Sequence, residues 1–398
     1  DTTFVRRAGS ASAARPPHEP NPLESPMTTT TSSPPAPMLR DGVEKIVGMD
    51  GLPLLHDTAD GTYHRVGDVA SAMIDLFDGH RTPEQIASAV NAQKVTPVLV
   101  RAAHVDALTR GLADQQLLVG GTPGRRRRTG LDRMMPRFII SRGFARILAP
   151  VVEIIRPLYR RGPLTAAVLV ALVGYVVGLA RVITVGAHSA SGATPLQLSI
   201  AALIALPIQL LAILMHESWH GIVCGVHGQP ARGLGVAMLF WVVPVAYVDR
   251  TDAYRIRERG PRVAIALAGM VNDGWIMGAT TIVASVSTGT TRLVATTLMG
   301  YQLVLLVANL NPLAPSDTVS ALEAATGEID LRGRSRTLLV STIRRRRLPG
   351  YLTALPAPRR IAYMTYGVLS YLFAAWVVLF VVWSFWRSIA TVVQGVPS

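Results

Sequence analysis

The sequence predicts a polytopic α-helical membrane protein of about five spans, with a short re-entrant or hairpin element and a small N-terminal α+β domain of winged-helix type. Three observations carry that expectation. Uncharged runs of membrane-spanning length occur only after about residue 163. Arginines crowd alternate ends of those runs. Ahead of them, residues 39–120 switch between the two-residue rhythm of strands and the 3.6-residue rhythm of helices. The 398 residues are 49% hydrophobic and carry a formal charge of +14. The excess is almost all arginine, the lysines being Lys45 and Lys94. Because the arginines sit beside apolar spans, they read as membrane topology and not as a nucleic-acid footprint. Arginine- and alanine-rich usage suggests a high-GC bacterial genome. Cys224 is the single cysteine, which excludes an internal disulfide and any Cys-based zinc site.

Residues 1–38 are rich in Pro, Ser, Thr and Ala without apolar periodicity, so disorder is expected there. Met27 opens "MTTTTSSPPAPMLRDG" and is the expected natural start. Next, "EKIVGM" and "LPLLHD" read as strands divided by Asp50 and Gly51. A third strand and a helix bearing Val69, Met73, Ile74 and Phe77 follow. Thr82 with Glu84, and Pro83 at the first helical position, open "TPEQIASAV". A third helix carries Val98, Val105, Leu108 and Leu112. Through this element order, "LFDGHRTPEQIASAV" and "LTRGLADQQLLVG", residues 39–120 resemble the PqqD-like family, also called the RiPP recognition element. The resemblance implies that the domain binds a precursor peptide's leader by adding it as a strand to its sheet. A generic winged-helix scaffold is the other reading.

Residues 121–163 form a basic linker containing Arg125–Arg128. It continues into "RFIISRGFARILAPVVEIIRPLYRRG", whose arginines and apolar residues recur at helical spacing, so an interfacial helix is expected. Residues 164–390 hold spans near 164–184, 196–227, 263–287, 293–312 and 361–386. The segment 233–248 is apolar but short, and Pro244 breaks it, which suits a re-entrant or hairpin element. The arginine asymmetry places the N-terminal domain in the cytoplasm and the C-terminus outside.

Inside the second apolar run stands "HESWH". His216 and His220 are four apart, on one helical face, and Glu217 follows the first. Two neutral imidazoles bind Zn²⁺, and the adjacent glutamate serves as general base toward water at the metal. A charged group near the middle of a spanning helix costs about 3 kcal/mol, so this trio reads as functional; a buried hydrogen-bonded structural cluster is the alternative. Zinc needs a third protein ligand. Asp317, after Asn309, Asn311 and Pro312 at the end of the fourth span, lies at matching depth, and Pro312 and Pro315 provide the turn. Locally it also reads as an N-cap for "TVSALEAA". Asp273 and His227 are weaker ligand candidates, and Glu323 is a fallback.

"HESWH", "PVAYVDRTDAYRIRERGPRVAIALAGM" and "NLNPLAPSD" occur in an order that resembles site-2-protease-type intramembrane zinc metallopeptidases over residues 200–325. The resemblance implies His216, His220 and Asp317 as zinc ligands, Glu217 as base and Asn311 as a residue that orients substrate backbone. One departure stands out: Thr318 follows Asp317 where the family has Gly. Taken together, the expected function is cleavage of a precursor peptide by a membrane-embedded zinc peptidase, in the maturation of a ribosomally made peptide such as a daptide. The 233–248 element would offer that peptide a strand edge. Two alternatives stay open: a regulatory protease cutting a membrane-bound anti-sigma factor, and a non-catalytic scaffold or exporter.

Overall fold

The structure, a computed structural model, describes residues 36–48, 51–59, 62–94, 99–121, 136–186, 193–239, 243–348, 350–353 and 355–394. Val98, Arg125–Arg128 and most of the 1–38 segment lie outside the described residues. At the front of the chain, β1 (Val43–Val47), β2 (Pro53–Asp57) and β3 (Thr62–Arg65) form an antiparallel sheet in that order. Helices α1 (Asp68–Ile74), α2 (Pro83–Ala92) and α3 (Ala102–Asp114) cover one face of it. Leu55, Met73, Ile86, Val90 and Val105 fill the space between. Thr82 caps α2 through its hydroxyl, which accepts from Gln85 N at 3.4 Å, while Gln85 Oε1 accepts from Thr82 N at 2.9 Å. The reciprocal partner of this capping box is therefore Gln85 and not Glu84.

Residues 137–163 hold a strand ahead of the helix expected there. Arg137–Ser141 is a strand, β4, followed by helix α4 (Phe144–Leu158). β4 pairs with β5 (Gly233–Leu239), which pairs with β6 (Val243–Asp249), so the 233–248 segment is the hairpin of a three-stranded antiparallel sheet. Helix α4 does not lie free: Phe144, Leu148 and Val152 pack under Ile222 and Val248, while Ile147, Ile154 and Leu158 face outward. The alternation of "RFIIS" fits either structure, and the open backbone edge of β5 decides for a strand.

Five helices are long and apolar enough to cross a membrane: Arg161–Thr184, Pro195–Val226, Arg259–Val286, Gly289–Leu310 and Ala357–Ser384. They match the expected spans to within a few residues and define a polytopic helical membrane protein. We name the helices α5 (Arg161–Arg181, continued by a π turn), α6 (Pro195–Val226), α7 (Arg259–Val286), α8 (Gly289–Leu310) and α12 (Ala357–Gln394). Between the last two lie α9 (Asp317–Thr326), α10 (Leu331–Ile343) and the single turn α11 (Gly350–Thr353). Helix α7 is central, packing on α5, α6, α8 and α9, whereas α12 packs on α10. Small residues let α5 and α7 approach: a Cβ on Gly174 would fall on the Gly274 carbonyl oxygen.

The front domain is docked on this bundle. All five residues of β2 are buried, and the face turned away from α1–α3 meets Arg232 and the turn Thr251–Arg255. Arg232, just before β5, donates to Asp252 with Nε and Nη2 at 2.9 Å each and to the Thr58 carbonyl at 3.2 Å. Its Nη2 also lies 2.9 Å from His56 Nε2, and Arg255 Nη2 lies 2.9 Å from His56 Nδ1 and 2.7 Å from Glu44 Oε2. Tyr63 stacks on His56 and tilts against Tyr254. Burial pushes the His56 imidazole below its ordinary value of 6.5; Arg255 and Arg232 push the same way, against Asp252 and Glu44. The folded protein thus binds this proton less readily than the unfolded chain. The stability His56 contributes is complete above about pH 6.5 and is lost as pH falls through its lower folded value. We expect the purified protein to melt at a lower temperature near pH 5 than near pH 8, and His56→Gln to shrink that difference. An unchanged difference in the variant would sink the assignment.

Candidate metal centre

Helix α6 begins at a Thr194–Gln197 capping box and runs unbroken through Pro207. His216 lies 21 residues along, about 30 Å from its start, near the arginine-flanked end of the bundle. Here the expected trio meets the fourth apolar helix's turn. His216 Nε2 lies 2.9 Å from Asp317 Oδ2, His220 Nε2 lies 3.2 Å from the same oxygen, and the two Nε2 atoms are 3.2 Å apart. His216, His220 and Asp317 are all buried. A carboxylate oxygen of Glu217 is also within 4.8 Å of the histidine nitrogens, so this buried group can hold a metal ion.

The partners of the two rings bear on what kind of guest fits. His216 Nδ1 is 2.7 Å from Asp273 Oδ2, and His220 Nδ1 is 2.7 Å from the Ile265 carbonyl. A carbonyl and a carboxylate only accept, so each of these contacts is a hydrogen bond in the tautomer that carries its proton on Nδ1. In that tautomer both Nε2 lone pairs converge with Asp317 Oδ2, three acceptors around one point. Tetrahedral ligands at about 2.0–2.1 Å from zinc stand about 3.3 Å apart, and the observed edges fall a few tenths short of that. A cation could be held in such a triangle. Asp273 and Ile265 O are the orienting partners that metal-ligating histidines use. Asp273, weighed above as a ligand, instead orients a histidine.

Asp317 reaches the triangle because Ser316 takes the cap of α9: its Oγ accepts from Val319 N at 3.3 Å. The aspartate is freed from that task and opens the helix at its first position. Thr318 is helical and needs no positive φ, so the departure from Asp-Gly costs nothing in backbone strain. Arg250 Nη2 lies 3.3 Å from Asp317 Oδ1. Its Nη1 lies 3.0 Å from His220 Nδ1.

Glu217 Oε2 accepts from Val248 N at 3.0 Å, so strand β6 fixes one carboxylate oxygen. Asn311 caps the end of α8, and its Oδ1 accepts from Leu313 N at 2.9 Å. Its amide thus shapes the turn toward Asp317. Glu323 accepts from Leu331 N at 2.7 Å and serves the start of α10, away from the triangle. His227 ends α6 with its ring edge-on to Tyr159. Sequence reasoning missed Arg250, Val248 N and Ile265 O. Only the first had a signal, an arginine directly after the hairpin's closing aspartate. Compared with family models, curated proteins and solved structures, the chain finds no match.

Proposed function

We propose that this chain is an intramembrane zinc peptidase that captures and cuts a precursor peptide, in the manner of the site-2-protease-type enzymes its motifs resemble. One observation carries the reading: two histidine nitrogens and an aspartate oxygen converge within 3.2 Å of one another, beside a glutamate held by a strand. His216, His220 and Asp317 would hold the ion, and Asp273 and the Ile265 carbonyl would fix the imidazole tautomers. Zinc would supply Lewis acidity, bringing a water's pKa toward neutrality and polarising a peptide carbonyl. Glu217 takes the water's proton on its outward oxygen and later gives it to the leaving amine. A peptide must be extended to be cut, and β6, an edge strand whose Val248 N already holds Glu217, is the nearest backbone able to extend it. The front sheet, with β1 and β3 at its edges, supports a leader-binding role for residues 39–120. The arginine-rich helix ends support a cytoplasmic front domain at a bacterial membrane.

The test is metal content joined to cleavage. Purified wild-type protein is expected to carry about one zinc per chain, and His216→Ala little. Wild-type protein is expected to cut members of a random peptide library, read by mass spectrometry, with activity stopped by a chelator and restored by zinc. Equal zinc in both proteins would remove His216 as a ligand. Zinc-loaded protein that cuts nothing would leave the scaffold reading in its place.

A further inference from the structure

Helix α4 (Phe144–Leu158) has three faces. Phe144, Leu148 and Val152 are buried against Ile222 and Val248, which fixes how the helix is rotated. Ile147, Val151, Ile154 and Leu158 recur at steps of four and three residues, so they form one stripe. All four are exposed, Ile147 and Ile154 at 65% each. The third face is charged: it carries Arg146, Glu153 and Arg156, the last two paired at 3.3 Å. Arg142 precedes the helix and Arg160 and Arg161 follow it, so five exposed arginines stand against one exposed glutamate. At 15 residues, with charges inside it, α4 is too short to span a membrane. Its depth is set by its neighbours. The large apolar side chains that α6 exposes run from Leu196 to Met215. That is about 30 Å of helix, the thickness of a hydrocarbon core. Helix α4 packs on α6 beyond this band, at Ile222 and Val226, roughly 10 Å past its end. Helix α5, apolar and long enough to cross, begins after only Tyr159 and Arg160.

We propose that α4 is seated in the headgroup layer of the membrane, with its stripe at the acyl boundary and its arginines on anionic phospholipid. This does not depend on what the metal centre does. An apolar stripe beside a basic face is what holds a non-spanning helix in that layer. Arginines gain there from the negative surface potential of the leaflet, and the attraction fades within a Debye length, so the charge acts only at headgroup depth. Helix α4 meets that condition, lying just past the apolar band of α6 and leading straight into α5. Guanidinium forks also match phosphate oxygens in geometry. Continuity with the lipid-facing sides of α5 and α6 favours lipid over a second protein as the cover of the stripe.

Fluorescence quenching by lipid tests both halves. Cys224 is fully buried, so a thiol-reactive fluorophore reaches a cysteine introduced on α4, and the unsubstituted protein serves as the blank. Full-length protein bearing Ile147→Cys, Ile154→Cys or Glu153→Cys is labelled with bimane and placed in phosphatidylcholine vesicles. The vesicles contain a fixed fraction of phosphatidylcholine or phosphatidylglycerol brominated on its acyl chains. Strong quenching is expected at positions 147 and 154 and little at 153. Phosphatidylglycerol is expected to be enriched a few-fold over phosphatidylcholine beside the position-154 label. Arg146→Gln with Arg160→Gln is expected to bring that enrichment close to onefold, and Arg146→Lys with Arg160→Lys to keep most of it. All the substituted residues are exposed, melting temperatures check the fold, and either stripe position can carry the test if the other variant fails to fold. Stripe labels quenched no more than the label at 153 would overturn the seat. If iodide in the water also failed to quench them, a protein surface such as a second copy of this chain would be the cover instead. Equal enrichment of the two lipids, or an enrichment that survives the paired glutamine substitutions, would overturn the anionic-lipid assignment.

Discussion

Glu217→Gln is expected to lower the rate of peptide cleavage by roughly 10²–10⁴-fold while leaving zinc content and melting temperature near wild type. The isosteric amide separates two jobs that the carboxylate performs. Its oxygen still accepts from Val248 N, so strand β6 stays seated on α6. What it loses is the capacity to take a proton. Glu217→Ala would confuse the two, because it also leaves the Val248 amide unpaired in a half-buried position, at a cost of about 1–3 kcal/mol. Initial rates on a cleaved library peptide, together with metal analysis of the same preparation, check the expectation. Cleavage at the wild-type rate by the Gln variant would remove Glu217 as the base.

The parts of this site that were legible in the sequence are those with a period or a cost. Spans show in hydropathy, and His216, Glu217 and His220 show because polar groups in an apolar helix demand a reason. Asp317 was reachable through depth: two helices running the same way bring residues at like distances from their starts to one level. The rest depends on partners that sequence does not display. Ile265 gives its carbonyl and Val248 its N–H, and any residue would offer the same atoms. Asp273 stands out as a charged group within a span, yet which polar group it meets is set by how α7 turns against α6. The sequence of strand Arg137–Ser141 fits a helix as well, because five residues of mixed polarity carry too little periodicity to choose, and its partner lies nearly a hundred residues later. Docking of the front domain left one trace: "PLLHD" puts a histidine in a strand with no exposed side, which makes sense only if both faces are covered. Likewise the local N-cap reading of Asp317 failed by one residue, since Ser316 competes for the same role and wins it.

Gly269→Ala is expected to lower zinc affinity by at least 10–100-fold, the range seen when the surroundings of a ligating histidine are disturbed, and to lower the melting temperature. The sign is the informative part. In a helix interior alanine is ordinarily favoured over glycine by about 1 kcal/mol. On α7, however, a Cβ at this position would overlap Nε2, Cε1 and Cδ2 of the His216 ring. The ring has nowhere to go. Its Nδ1 is tied to Asp273, one turn further along the same helix, and its Nε2 belongs to the triangle with His220 and Asp317. Tilting it breaks one contact or the other, and holding it in place forces the helices apart, an overpacking cost of about 1–3 kcal/mol. Removing the ring should therefore reverse the effect. In a His216→Ala background, Gly269→Ala is expected to be neutral or stabilising, and the coupling in a double-mutant cycle of melting temperatures measures the clash. If Gly269→Ala destabilised both backgrounds equally, the glycine would be answering to some other neighbour of α7. If it destabilises only the protein that retains His216, the small residue is there to let an imidazole reach a metal inside a packed helix pair.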